Sequence, residues 1–205
     1  MTPSFSFELA ARSGGHTIIC GIDEAGRGPW AGPVCAAAVI LDLGNIPAGL
    51  NDSKKLTEAK RERLYPEIMA AADVGVGLVS AEEIDEINIL QATYLAMNRA
   101  VAALKSKPSL ALIDGNRAPK LFCATQTIIG GDGKSLSIAA ASIIAKVTRD
   151  RLMVELDKTY PHYGFARHKG YGTAFHATAL AEYGPCTEHR GSFAPIRVLL
   201  NRPGR

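Results

Sequence analysis

Residues 17–41 read TIICGIDEAGRGPWAGPVCAAAVIL, and this stretch decides the class of fold. Thr17 to Asp23 and Pro33 to Leu41 are short apolar runs rich in Ile, Val, Cys and Ala. Between them lies Glu-Ala-Gly-Arg-Gly-Pro, a cluster of turn formers, so the two runs read as adjacent strands. Asp73 to Ser80 alternates Val74, Val76 and Leu78 with small residues and reads as a third strand. Before it, Thr57 to Ala72 reads as a helix that Pro66 should kink or restart. Asn88 can cap a further helix, with Gln91 three residues on and Leu90, Met97, Val101 and Leu104 along one apolar stripe. Ser109 to Ile113 and Leu121 to Ile129 read as two more strands. Ser137 to Leu156 reads as a long helix, apolar nearly all round in its first half, as befits a helix buried across a sheet face. Such a pattern belongs to an α/β or α+β domain. The first three strands can pair as an antiparallel meander, and strands joined by helical crossovers run parallel.

The chain has 205 residues, 47% apolar and 21% charged; that length suggests one domain or two small ones, and one domain over residues 1–205 is expected. A domain of that size buries roughly 70% of its unfolded surface and needs neither disulfides nor a structural metal to fold. Such hydrophobicity with a net charge of +3 excludes disorder. The longest apolar run, Trp30 to Leu41, is interrupted by Gly32 and Pro33. It is far shorter than the ~20 residues that span a bilayer. Met1 to Gly15 has neither the basic nor the apolar region of a secretory signal, so a cytoplasmic location is expected. Cys20, Cys35, Cys123 and Cys186 lie too far apart for a zinc knuckle and read as free, mostly buried thiols. Charge is unevenly spread. Residues 1–145 hold 13 Lys/Arg against 15 Asp/Glu, and residues 146–205 hold 10 against 5 with four of the five histidines. A basic C-terminal part beside an acidic body suits a polyanion held next to carboxylates, or is simply a solvated basic face.

Asp23 and Glu24 end the first strand and run straight into Ala25-Gly26-Arg27-Gly28. On a regular strand the two carboxylates point to opposite faces; at a strand end that breaks into a glycine turn both can reach one site. Asp114 likewise follows an apolar strand, and Asp132 sits between Gly131 and Gly133 just before the buried helix. Acids at turns are often only solvated. Several at strand ends also suit hard divalent cations, a pair of which, ~3.5–4 Å apart, can drive phosphodiester hydrolysis. The glycines of Gly26-Arg27-Gly28 allow either a tight turn or close backbone approach to a nucleic-acid strand. Gly131-Asp132-Gly133-Lys134-Ser135 is not a phosphate-binding P-loop, because Ile128 stands where that motif needs its first glycine. The aromatic and basic run Tyr160 to Thr173 is either a self-packed loop or a nucleic-acid face. His168 and His176 are too far apart for a one-turn pair of metal ligands.

Together these pieces resemble the ribonuclease HII family, the bacterial type 2 ribonucleases H. The resemblance runs in order through residues 21–29, 51–56, 113–115, 139–150, 168–173 and 189–193, nearly the full chain. It implies an α/β fold with a ribonuclease H-like five-stranded mixed sheet flanked by helices. Residues from about 160 would form a helical C-terminal extension of the same unit. By resemblance, Asp23, Glu24, Asp114 and Asp132 hold two divalent ions, Mg²⁺ or Mn²⁺, while Asp150 is structural or solvated. Tyr171 senses the ribose 2′-hydroxyl beside Gly26, Arg27 and Gly28. Lys54, Lys55, Lys146, Arg167, Lys169 and Arg190 are the expected phosphate contacts. The implied activity is cleavage of the RNA strand of RNA–DNA hybrids and at ribonucleotides embedded in duplex DNA, leaving 5′-phosphate and 3′-hydroxyl ends. A catalytically silent nucleic-acid-binding relative is the alternative, although none of the four acids is lost. No membrane partner is expected.

Overall fold

The computed structural model describes residues 2–201. Five strands form one sheet: β1 (Ile19–Ala25), β2 (Val34–Leu41), β3 (Ala72–Val79), β4 (Leu110–Asp114) and β5 (Ala124–Ile128). Their spatial order is β3-β2-β1-β4-β5. The expected meander is present, since β1 pairs β2 and β2 pairs β3 antiparallel. Crossovers then bring β4 parallel to β1 and β5 parallel to β4. Strand β2 is buried along nearly its full length, as its unbroken apolar run requires of a strand covered on both faces.

One face carries α2 (Glu58–Ala71) and α4 (Leu136–Thr159), whose Leu64, Ile68, Ile143 and Ile144 pack with Val39 and Leu41. The other carries α3 (Ala81–Ala102), which packs Ala92, Ala96 and Ala100 against Ala36, Ala38 and Ile113. Small residues bring helix and sheet close together. At Gly21 a Cβ would stand 2.2 Å from the carbonyl carbon of Ser137 and 2.3 Å from the nitrogen of Ile138. A helix backbone therefore lies directly on a strand backbone, and only glycine leaves room. The start of α4 is fixed from a distance. In α1 (Ser6–Ser13), a segment unread in the sequence, buried Glu8 accepts from Ser135 Oγ at 2.6 Å and Ser137 N–H at 2.9 Å. A carboxylate there meets the positive end of the helix.

Three readings of the sequence differ from what is observed. Pro66 does not restart α2, which runs through it. It sits on the exposed side, so the hydrogen bond it forgoes lies toward water while Leu64 and Ile68 anchor the opposite side. Helix α3 begins at Ala81 and not at Asn88, because Ser80 and Glu83 form a reciprocal capping box. Asn88 still caps: at φ 66° it kinks the helix, and its Oδ1 accepts from the N–H groups of Leu90 and Gln91. Strand β5 begins at Ala124, because Leu121 and Cys123 pack inward before the pairing starts.

The C-terminal part is helical, with α5 (Phe165–His168), α6 (Ala174–Tyr183) and α7 (Ala194–Leu200). Its core of Tyr163, Phe165, Leu180 and Ile196 closes on Ala31 and on Met153 of α4. The loop after β1 is thereby clamped between the sheet and the C-terminal helices. No described helix is long and apolar enough to cross a membrane.

Candidate active site

Strands β1 and β4 run side by side in the same direction, so Asp23 and Asp114 emerge at the same edge of the sheet. The short turn Gly131–Gly133, between β5 and α4, brings Asp132 to them. One carboxylate oxygen from each of these three acids lies within 4.8 Å of the others. Backbone donors hold two of them: Gly131 N–H donates to Asp114 Oδ1 at 2.6 Å and Glu24 N–H to Asp23 Oδ1 at 2.7 Å. Glu24 stands at the margin of the trio. Strand β1 stays regular through Ala25, so strand alternation carries Glu24 toward Arg27, with Oε1 3.5 Å from Nη1.

Burial, followed by the charges of Glu24 and Asp114, holds the Asp23 carboxyl well above the usual carboxylate range. Burial also raises Glu24, against the pull of Arg27. It raises Asp132 as well, helped by Asp114 and Asp52. Lys54, 3.8 Å from Asp132 Oδ2, is the cation set against them. Burial pulls its ammonium down, but Asp23, Asp132, Asp52 and Asp114 together outweigh this and hold it above its ordinary value. Buried, mutually repelling carboxylate oxygens at one point are what a hard divalent cation binds, and the three acids fit such an ion.

Two cavities flank the acids. One of about 370 Å³ is lined by Asp23, Glu24, Gly26, Lys54, Lys146 and Tyr171. The other, of about 430 Å³, is lined by Tyr94, Asp114, Asn116 and Arg117 and shares Glu24 and Arg27 with the first. Sequence reading missed this second wall, although Asn116 and Arg117 follow Asp114-Gly115 directly. Tyr171 is half exposed and close to the glycine turn, its ring 3.7 Å from where a Cβ on Gly28 would lie. Lys146 donates to Asp150 at 2.8 Å, and Asp150 is not among the three acids that converge. Lys55 is 3.9 Å from Asp52. Arg167 is exposed beside Tyr171 and Phe175. The Lys169 ammonium donates to the Ala166 carbonyl.

Arg190 corrects the sequence-based expectation. It is fully buried, and its guanidinium donates to the carbonyls of Gly26, Arg27 and Gly32, so it presents no charge at the surface for a phosphate. In the sequence its basic surroundings read as a solvated or ligand-binding face. The carbonyls that claim it come from residues about 160 positions earlier, beyond the reach of local pattern.

Behind Tyr171 runs a chain of buried histidines. Cys186 N–H donates to His189 Nδ1 at 2.9 Å. The other nitrogen, Nε2, therefore carries the proton toward His176 Nε2, also at 2.9 Å. His176 then donates from Nδ1 to the Tyr171 carbonyl at 2.9 Å. Each ring is neutral in this arrangement. Burial pushes both His176 and His189 down to about 4. A folded-state value below the ordinary 6.5 means the stabilisation is present in full above that pH and is lost as pH falls through about 4. The stability gap between the wild type and a His189→Gln variant should therefore narrow from pH ~6.5 to ~4 in denaturant titrations. A gap that stays constant with pH would assign the acid sensitivity to other groups.

A mixed sheet of this order, with carboxylates at the ends of its adjacent parallel strands, defines a ribonuclease H-like fold built around an acidic centre. Residues 20–196 match the family model for ribonuclease HII. The chain is 58% identical over 205 residues to ribonuclease HII of Parvibaculum lavamentivorans, covering all of this chain and 76% of that one. It is 55% identical over 203 residues to ribonuclease HII of Magnetococcus marinus, covering 97% and 95%. Among solved structures it resembles ribonuclease H2 from Pyrococcus horikoshii, with TM-score 0.74 and 29% identity over 89% of this chain and 97% of that one. The chain belongs to the ribonuclease HII family and is a ribonuclease H, an endoribonuclease.

Proposed function

We propose that this ribonuclease H cuts the RNA strand of RNA–DNA hybrids and also cuts at single ribonucleotides embedded in duplex DNA, leaving 5′-phosphate and 3′-hydroxyl ends. The observation that carries this reading is one cavity whose wall holds Asp23 and Glu24 together with Gly26, Arg27 and Tyr171. Carboxylates for a cation and groups suited to a sugar-phosphate thus face the same space. Asp23, Asp114 and Asp132, with Glu24 at their margin, hold Mg²⁺ or Mn²⁺. Such ions, when bound, supply activation of water and stabilise charge on the leaving oxygen of a phosphodiester. Lys54, Lys55, Lys146, Arg167 and Lys169 meet phosphates at the rim. Residues 1–205 act as one unit, in which the C-terminal extension brings Tyr171 to the sheet edge. The cytoplasm is the compartment that goes with such a substrate.

Tyr171 supplies the discrimination. In a single ribonucleotide within DNA, the 2′-hydroxyl is the one group that differs. Recognising it takes a flat wall against the sugar and a polar atom within reach, and a tyrosine offers both. In folded Tyr171→Ala protein, cleavage of a duplex with one embedded ribonucleotide should fall about a hundredfold, the loss of a stacking wall and a hydrogen bond. The apparent metal affinity should stay put. Tyr171→Phe separates the ring from its hydroxyl. A near-wild-type rate for Tyr171→Ala, assayed on gels in Mg²⁺, would leave Tyr171 a packing residue. No cleavage of either substrate by the wild type in Mg²⁺ or Mn²⁺ would leave the chain a binding relative.

A further inference from the structure

Two arginines lie buried near the acidic centre, and neither forms an ion pair among the described residues. Arg149, on α4, donates from Nε to the Pro33 carbonyl at 2.9 Å, from Nη1 to that of Lys169 at 3.0 Å and from Nη2 to that of Ala31 at 3.1 Å. Arg190 donates from Nε to the Gly32 carbonyl at 3.0 Å and from Nη1 to that of Arg27 at 3.0 Å. Its Nη2 reaches the carbonyls of Gly26 at 2.6 Å and Gly32 at 2.8 Å. Its guanidinium carbon lies 5.1 Å from the centre of the Phe193 ring. Burying a charge that has no carboxylate partner is costly. A packed apolar pair would fill the same space at less expense, so the arrangement calls for an explanation beyond stability.

We propose that Arg149 and Arg190 are positioning residues that aim the backbone N–H groups of the glycine turn at the nucleic acid and lock that turn to the segment carrying Tyr171. Every described peptide bond is trans, so carbonyl and N–H point in opposite directions within each peptide plane. When Arg190 draws the Gly26 and Arg27 carbonyls inward, the N–H groups of Arg27 and Gly28 are turned outward. Neither finds an acceptor among the described residues. Arg149 fixes the other side. Its side chain occupies the space a Cβ on Gly26 would need, 2.0 Å from its Nε, and Gly26 sits at φ 93°. Only glycine meets both conditions. Through the Lys169 carbonyl, Arg149 also braces a residue held at φ 53°, two positions before Tyr171. The two guanidinium groups thus tie both walls of one cavity to a single helix and a single loop.

The proposal rests on the reading of the turn as a nucleic-acid contact, and the test separates the two. In ¹⁵N-labelled wild type, a hybrid carrying a non-hydrolysable linkage should shift the amide signals of Arg27 and Gly28 downfield. Absence of that shift in the wild type would overturn the reading of the turn. In Arg190→Lys, which keeps a cation but loses the fork, the shift should shrink. KM for a hybrid should then rise about tenfold with kcat within about twofold, the pattern for contacts made equally in ground and transition states. Where Arg190→Lys does not fold, Phe193→Leu loosens the same guanidinium without removing it and should move KM in the same direction. Lowered melting temperature with unchanged amide shifts and unchanged KM, in either variant, would reduce both arginines to structural braces.

Discussion

Asp114→Asn is expected to fold as the wild type does and to lose cleavage by about a thousandfold or more. The amide oxygen can still accept from Gly131 N–H, which now reaches Asp114 Oδ1 at 2.6 Å, so the turn that carries Asp132 keeps its place. What changes is charge. Removing one carboxylate from three that converge within 4.8 Å weakens the hold on a divalent cation. Such ions contribute several kcal/mol of transition-state stabilisation, and about 1.4 kcal/mol is a factor of ten in rate. Thermal melting supplies a second readout. The Asp23 carboxyl is held above its ordinary range, so in metal-free protein its contribution favours folding at low pH and is lost as pH rises through the raised value. At neutral pH a bound cation relieves that repulsion, and Mg²⁺ or Mn²⁺ should raise the melting temperature of the wild type much more than that of Asp114→Asn. Wild-type cleavage by Asp114→Asn, or full activity in excess EDTA, would exclude a carboxylate-metal centre.

Gly21→Ala should be strongly destabilising for a change of one methyl group. The added carbon would meet Ser137 C at 2.2 Å, Ile138 N at 2.3 Å and Ser137 O at 2.5 Å, all of them backbone. No rotamer change relieves such a contact, so α4 must lift from β1 or β1 must bend. Overpacking costs 1–3 kcal/mol where side chains can yield, and a rigid pair of backbones belongs at the top of that range, about 3 kcal/mol. For a chain of this length that is roughly 6–12 °C in melting temperature. Activity should suffer beyond the loss of folded protein, because Asp23 lies two residues along the same strand and Asp132 immediately before the same helix. An alanine variant that melts within about 2 °C of wild type would mean that strand and helix stand further apart than this packing requires.

Much of this architecture is legible from local pattern. The five strands and the buried helix follow from apolar runs punctuated by turn residues, and the meander follows from the short connection between β1 and β2. The acids at 23, 114 and 132 are legible for the same reason, because each stands where an apolar strand or a glycine turn ends. Features set by distant partners are not legible. Nothing local marks Glu8, yet it caps a helix more than 120 residues away. Arg190 reads as a surface cation, yet its partners are carbonyls on the far side of the chain. The start of α3 was within reach, since Ser80 and Glu83 have the spacing of a capping box, but the stronger apolar stripe after Asn88 drew the boundary later. Glu24 lies between the two cases: its position at the strand end is local, and its turn toward Arg27 depends on how far the pairing with β2 persists.

The central place of β1 has a consequence for the order in which the molecule comes into being. Its neighbour on one side is made at once, but its neighbour on the other, β4, follows about ninety residues later, and such distant pairings are slow to form. An N-terminal piece leaving the ribosome already carries Asp23 and Glu24 and can build the β1–β2–β3 meander around them. It has no Asp114 or Asp132 to complete the acidic centre, no α4 to cover the sheet and no Tyr171 or Arg190 to close the turn. The acids of the centre are thus brought together only after more than half of the chain has been made.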